Sequence, residues 1–441
     1  MNAARYGRLM ATAASTVPSG PAHVAVVSFL AARAAPAGGF WIALAGGVAI
    51  ARVAERRGAR LGFGASVAAM LETVAIIGPA RLGIPLTQAA TAPMLGRLEA
   101  RGWRPLPQIL ACAAIRLLHN TATTAFFIWV ITGGLDAYAG TYDAIGRHLG
   151  IEIGSADALA LTLVGLLAWA AFASTVQVLI YRRGLASWDR LAHESDFEHQ
   201  IGAESQARET EAGGTGAGGA AVAAPGGAAA AAPPERRFDP RAIALAAAVA
   251  FALLLASTAW ALLAAVSAWL ALAWVAARPD KQTLPAGLLF AALLAGGAFV
   301  FTLGGGLGLD VAARRGARAA LLVLTATWLR GAAGAEGLRE VSRRALGRLR
   351  RIPAMPEAAL VLDRVASEGR LAAAARALEQ QLRGVPKRPL AFVDAVLRWV
   401  VREASIERAA PERRPQALRL RWADAVLLGA AVLPAATLPA L

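Results

Sequence analysis

Apolar residues in this chain come in long unbroken runs rather than in alternation. The clearest cover residues 107–131, 158–181, 242–277, 284–304 and 422–440. A helix needs roughly 20 apolar residues to cross the hydrocarbon core of a bilayer, so the run at 242–277 has room for two crossings. Backbone groups in lipid must bond within their own segment, and no period-2 pattern of a membrane barrel is present. The pattern predicts an all-α polytopic membrane protein.

Polar segments divide this chain. The stretch "ESQARETEAGGTGAGGAAVAAPGGAAAAAPP" at 204–234 is low in complexity and has nothing bulky to bury, which predicts a flexible linker over 191–235. It separates a membrane domain at 1–190 from a second at 236–441. In the first, arginines cluster at Arg52–Arg60, Arg97–Arg104 and Arg182–Arg183, as they do in cytoplasmic loops. Threading those loops gives six crossings near 21–35, 38–53, 61–79, 83–96, 107–131 and 158–181, with the N-terminus cytoplasmic. A re-entrant hairpin over 61–96 competes with two of them. The acidic, aromatic stretch 133–156 reads as an external loop. The second domain predicts crossings near 242–260, 262–277, 284–304 and 307–330, then a basic cytoplasmic stretch at 335–421 and a last crossing at 422–440.

Within the basic stretch the pattern changes. Val361, Val365, Leu371, Ala375, Leu378 and Leu382 fall close to helical spacing over 356–384, and Val393, Val396, Leu397 and Val400 do so over 390–408. Gly384 and Pro386 end the first segment and Pro389 opens the second. Two amphipathic helices follow, suited either to an anionic lipid surface or to a protein partner.

Composition narrows the function. The net charge of +16 sits beside apolar runs, where membrane orientation rather than nucleic acid accounts for it. A single cysteine, Cys112, excludes a disulfide framework. Neither lysine, Lys281 or Lys387, lies in a Gly-x-x-x-x-Gly-Lys-Ser/Thr loop, so this device for binding ATP is missing. No catalytic motif is present, and "HESDFEH" at 193–199 matches no standard metal spacing. Neither a bound cofactor nor a metal is expected.

One apolar run carries unexpected polarity. Arg116, His119, Asn120 and Thr123 fall at i, i+3, i+4 and i+7, on one helical face. At 1.5 Å per residue Arg116 lies about 14 Å from the cytoplasmic end of its run, and Glu72 lies about 16 Å from the same side. Ionisable groups at such depth are functional candidates. Glu72, Arg116, His119 and Asn120 read as a substrate-binding site that Gln88 and Gln177 could join. A Glu72–Arg116 bridge that only clamps two helices is the competing reading.

The segment from Arg237 onward resembles the T component of energy-coupling factor (ECF) transporters, the membrane coupling subunit of vitamin and cobalt/nickel importers. "FDPRAIAL" at 238–245 is similar to the Asp-Pro-Arg lead-in of that family. "GLGLDVAARRGARAALLVLTATWL" at 306–329 looks like its arginine-bearing helix, and "LREVSRRALGRLRRIPAMPEAALVLDRVASEG" at 338–369 follows its Leu-rich helix and Pro turn. "ALEQQLRG" at 377–384 matches the end of its first coupling helix, and "LRLRWADAVLLGAAVL" at 418–433 looks like the approach to its last span. The resemblance implies that Arg383 and Gly384, with Arg408 in the second helix, dock two separate ABC-type ATPase subunits that supply ATP hydrolysis. Ala409 stands where the family has glycine. Residues 1–190 resemble no family specifically; fusion to a T-like half associates them with the substrate-binding S component. The expected protein is a non-enzymatic importer subunit of the inner membrane, with a small-molecule substrate and lipid as further partners. A self-sufficient carrier or channel, or a membrane scaffold, is the alternative.

Overall fold

The computed structural model describes residues 19–34, 38–78, 84–148, 150–212, 237–279, 283–365, 368–386, 388–406 and 419–437, and every regular element among them is helical. In the first half these are α1 (Ser19–Ala34), α2 (Gly39–Arg57), α3 (Ala59–Ile77), α4 (Ile84–Ala100), α5 (Pro105–Phe126), α6 (Leu135–His148) and α7 (Ser155–Ala212). The second half holds α8 (Pro240–Ala256), α9 (Trp260–Ala277), α10 (Thr283–Gly304), α11 (Leu309–Arg348), α12 (Met355–Arg364), α13 (Glu368–Arg383), α14 (Pro389–Ser405) and α15 (Trp422–Val432).

Local chemistry sets the ends. Proline at the first turn opens α5, α8 and α14, where its missing N–H costs no helical bond. Asp239 caps α8 by accepting from the Arg241 amide at 2.8 Å. Buried Asp424 accepts from the Arg421 amide and from the Asp239 amide, both at 2.7 Å, and so ties the starts of α8 and α15 together. These two helix starts, 185 residues apart in sequence, are thus adjacent.

Five helices are long and apolar enough to cross a membrane: α3, α5 with its continuation to Thr132, the Ser155–Glu194 part of α7, α9 and α10. Leu110, Leu118, Leu163, Leu272, Leu293 and Val300 lie exposed on four of them. Each such side chain left in water forgoes roughly 1.5–3 kcal/mol of burial, so hydrocarbon is the surrounding this surface fits.

All six crossings predicted in the first half are helical, but α1 and α2 lack the outward apolar face of a lipid-exposed crossing. Residues Ala22–Phe29 of α1 and Ile42–Ala51 of α2 are buried throughout. Small side chains let the pair approach closely: a Cβ on Gly46 would fall on Ser28. The rest of the cover comes from the amphipathic helices. Leu371, Leu378 and Leu382 of α13, with Val393, Val396 and Val400 of α14, share one hydrophobic core with α1–α3 and α7. A second core joins α8, α9 and α11 with α15 and takes in Ala75 of α3. The packing therefore cuts across the predicted division at the linker, since α12–α14 bury their apolar faces against the first half.

Two other expectations change. Part of the expected linker is helical: α7 continues through 191–212, where Glu, Gln and Ala favour helix. The rest of the linker, 213–235, and Arg408 lie outside the described residues. The stretch 133–156, expected as an external loop, folds mostly as α6, whose Thr141 hydroxyl donates to the Phe301 carbonyl at 2.6 Å on α10.

Candidate functional site

The predicted site residues separate into two centres. The first lies between α3 and α11. Glu72 is fully buried and receives Arg339, whose Nε donates to Oε2 at 2.6 Å while Nη2 donates to Oε1. A second carboxylate, Glu336, half-exposed, accepts from the same guanidinium. Nine residues earlier on α11, Arg330 Nε donates to the Ile76 carbonyl at 2.7 Å. Between the two contacts α11 is broken at Gly334, with φ 63° and ψ 166°. That conformation is open essentially to glycine alone. The last turns of α3 are thus held on either side of the break.

This corrects the Glu72–Arg116 pairing. Helix α3 packs on α11 and α12, while α4 packs on both α3 and α5, so the Glu72 side chain meets an arginine of the second half. Arg339 was passed over because it falls in a stretch dense with arginine, where no single one stands out. The available signal was Glu72 itself, a buried acid in want of a cation. One turn on, burial opposes the charge of Glu340, but hydrogen bonds from Arg343 and Arg344 outweigh it and hold the carboxyl below its usual range.

The second centre lies where α4, α5 and α7 meet. Arg116 is 3% exposed, and its Nη2 donates to Gln177 Oε1 at 2.5 Å. Gln177 Nε2 in turn donates to Thr91 Oγ1 at 2.9 Å. The Arg116 Nε has no hydrogen-bond partner among the described residues, nor has either polar atom of buried Gln88, one turn before Thr91 on α4. Buried Ser174, one turn before Gln177, keeps its hydroxyl oxygen unpartnered too. Among the described residues no carboxylate pairs with Arg116, so its guanidinium bonds to neutral Gln177, itself bonded to Thr91, in an apolar setting. A buried cation of this kind is costly unless an anion completes it.

Of the two glutamines that could join the expected site, Gln177 bonds Arg116; Thr91, which bonds Gln177, carries no charge to mark it in the sequence. His119 and Asn120 sit beside Arg116 on α5 and are half-buried. Neither side chain makes a hydrogen bond among the described residues. The backbone carbonyl of His119 accepts from Thr123 Oγ1 at 2.9 Å.

Arg383 and Gly384 stand exposed at the end of α13. Among the described residues Arg383 meets only Glu379, one turn back, at 3.0 Å. The outward face of α13 carries Arg370 and Arg376 beside it, both exposed. Arg402 on α14 donates to Gln381 on α13 at 3.2 Å, which links the two helices. No metal-binding group of three or more His, Cys, Asp or Glu side chains exists among the described residues. Comparison with known proteins finds no matching family model, no similar curated protein and no similar solved structure.

Proposed function

We propose that the chain is the membrane subunit of an ECF-type ABC importer, in which α13 and α14 dock ATPase partners and the first half binds the substrate. The observation that carries this reading is the two-sidedness of α13. Its apolar face is buried against α1, in the same core as α2 and α3, while Arg370, Arg376 and Arg383 face outward. An amphipathic helix resting on lipid would keep its apolar face for the bilayer. Here that face is committed to protein, and the free face offers guanidinium forks suited to acidic grooves. A load applied to α13 or α14 passes straight into α1 and α2, as a coupling helix requires.

In this reading the chain sits in the cytoplasmic membrane with its N-terminus and basic helices inside, ATP is hydrolysed by separate chains, and Arg116 with His119 and Asn120 faces the substrate. The test is purification from native membranes in mild detergent, followed by mass spectrometry of what accompanies the chain. ABC-type ATPases should accompany the wild type and be lost from the Arg383→Glu/Arg408→Glu variant. Their absence from both samples rejects the reading and leaves a self-sufficient carrier or scaffold.

A further inference from the structure

A cleft of about 650 Å³ opens between α7 and α14, lined by Arg183, Ala186, Ser187, Arg190 and Leu191 on one wall and Asp394, Leu397 and Arg398 on the other. Three guanidinium groups face one carboxylate. Arg183 is engaged, with Nε and Nη2 each 3.0 Å from an Asp394 oxygen. Arg190 is 4.0 Å from Glu194 and mostly exposed. Arg398 is exposed and has no carboxylate partner among the described residues.

What lies beneath the arginines decides the ligand. On α7, Leu161, Phe172, Leu179, Arg183 and Arg190 fall within about 40° of one another at 100° per residue, so they form one stripe. Its first three members are exposed and apolar, and they lie within the part of α7 apolar enough to cross a membrane. On α14, Leu390, Asp394 and Arg398 follow at successive turns, and Leu390 is exposed. The helices run in the same direction. Phe40 stacks near Trp169 and Arg52 bonds Asp189, so α2 rises alongside α7. Helix α14 starts beside the start of α2, where a Cβ on Gly38 would meet the Phe392 ring. Both walls therefore pass from exposed leucine to exposed arginine in the same sense. From Phe172 to Arg183 is about 16 Å, roughly half the thickness of a hydrocarbon core.

We infer that this cleft is a binding site for an anionic phospholipid, with the headgroup phosphate between Arg190 and Arg398 and an acyl chain along Phe172 and Leu179. The ligand class follows from charge complementarity at one end and an exposed apolar lane at the other, a pairing that neither a free anion nor an acidic peptide needs. Basic pockets between membrane helices take anionic headgroups by this chemistry. Because one wall belongs to each half, the bound lipid staples the first half to α14. The inference rests on membrane insertion but not on ATPase docking.

The test uses the full chain, purified in detergent and delipidated, with native mass spectrometry after addition of phosphatidylglycerol, phosphatidylcholine or sodium phosphate. The wild type should retain one phosphatidylglycerol in preference to phosphatidylcholine. Arg190→Gln/Arg398→Gln should lower that preference by about thirtyfold, at roughly 1 kcal/mol per arginine. Asp394→Asn releases Arg183 for the phosphate and should tighten retention severalfold, a gain that damaged folding cannot mimic. Leu179→Asn/Leu390→Asn should weaken retention of the lipid without changing the response to sodium phosphate. Unchanged preference in the arginine variant, or looser retention in Asp394→Asn, overturns the site. Lipid retention indifferent to the leucine changes, with sodium phosphate competing equally well, makes it a free-phosphate site and overturns the lipid assignment.

Discussion

Arg339 and Arg116 are both buried arginines, 3% exposed each, and they live in opposite electrostatic circumstances. Arg339 meets two carboxylates, one of them fully buried. Arg116 meets the oxygen of a neutral amide. Each guanidinium bore the cost of leaving water, and only the first recovers it inside the protein. The difference separates structure from function. A satisfied charge holds two helices in place, whereas a buried guanidinium bonded to a neutral amide keeps donor capacity that an anion would complete. The clamp envisaged for Glu72 and Arg116 forms instead between Glu72 and Arg339, and Arg116 is left with a neutral partner.

The largest expected effect breaks the satisfied pair. Glu72→Gln leaves Arg339 buried with only the half-exposed Glu336, and should destabilise the protein by about 3 kcal/mol. Thermal unfolding in a fixed detergent measures it. Replacing both partners, Glu72→Leu with Arg339→Leu, should recover most of that loss, because the desolvated charges go together. A double variant as unstable as the single one would mean that Glu336 and the helix break depend on Arg339 for more than charge.

An intermediate effect is expected at the break between the two α3 contacts. Gly334→Ala forces a Cβ into a backbone conformation reserved for glycine, at about 1–3 kcal/mol. Straightening α11 at that point would pull Arg330 and Arg339 out of step with Ile76 and Glu72. The expected signature is a fall in unfolding temperature smaller than that of Glu72→Gln and not additive with it, since both act on one contact surface.

Much of this architecture is legible in hydrophobic pattern alone. The apolar runs at 107–131, 158–181 and 284–304 became helices with exposed leucine faces, because lipid exposure and sequence periodicity ask for the same residues. The segment 356–384, expected as one amphipathic helix, folds as two, α12 and α13, parted at extended Val365, while α14 forms where Val393–Val400 predicted it. What pattern cannot say is which partner an apolar face chooses. Helices α13 and α14 had faces equally suited to lipid and to protein, and α1, rich in Ala, Val and Ser, read as a crossing although protein surrounds it. The site was half legible for a similar reason. Charge made Arg116 and Glu72 conspicuous, but depth along a run is one coordinate, and α4 stands between their helices. Neutral Thr91 and Gln88 carried no mark, and Arg339 hid among its neighbours.

The smallest effect on stability should come from Arg116, and its sign sharpens the contrast. Arg116→Met keeps the length of the side chain and removes a buried charge that has no carboxylate. Gln177 loses its short donor but keeps the Thr91 hydroxyl at 3.3 Å, so the lost hydrogen bond costs about 1 kcal/mol. Relief of desolvation offsets it, and the unliganded variant should unfold within about 1 kcal/mol of wild type. The functional effect should be much larger. A small carboxylate or zwitterion that binds at Arg116 raises the stability of the wild type by about 2.7 kcal/mol when present at 100 times its Kd. The same solute should leave Arg116→Met unmoved, because the guanidinium that would hold it has gone. A thermal-shift screen of small carboxylates, run on both proteins side by side, reads this directly. If Arg116→Met is instead as damaging as Glu72→Gln without any ligand, Arg116 is a second structural clamp, and the contrast between the two arginines disappears.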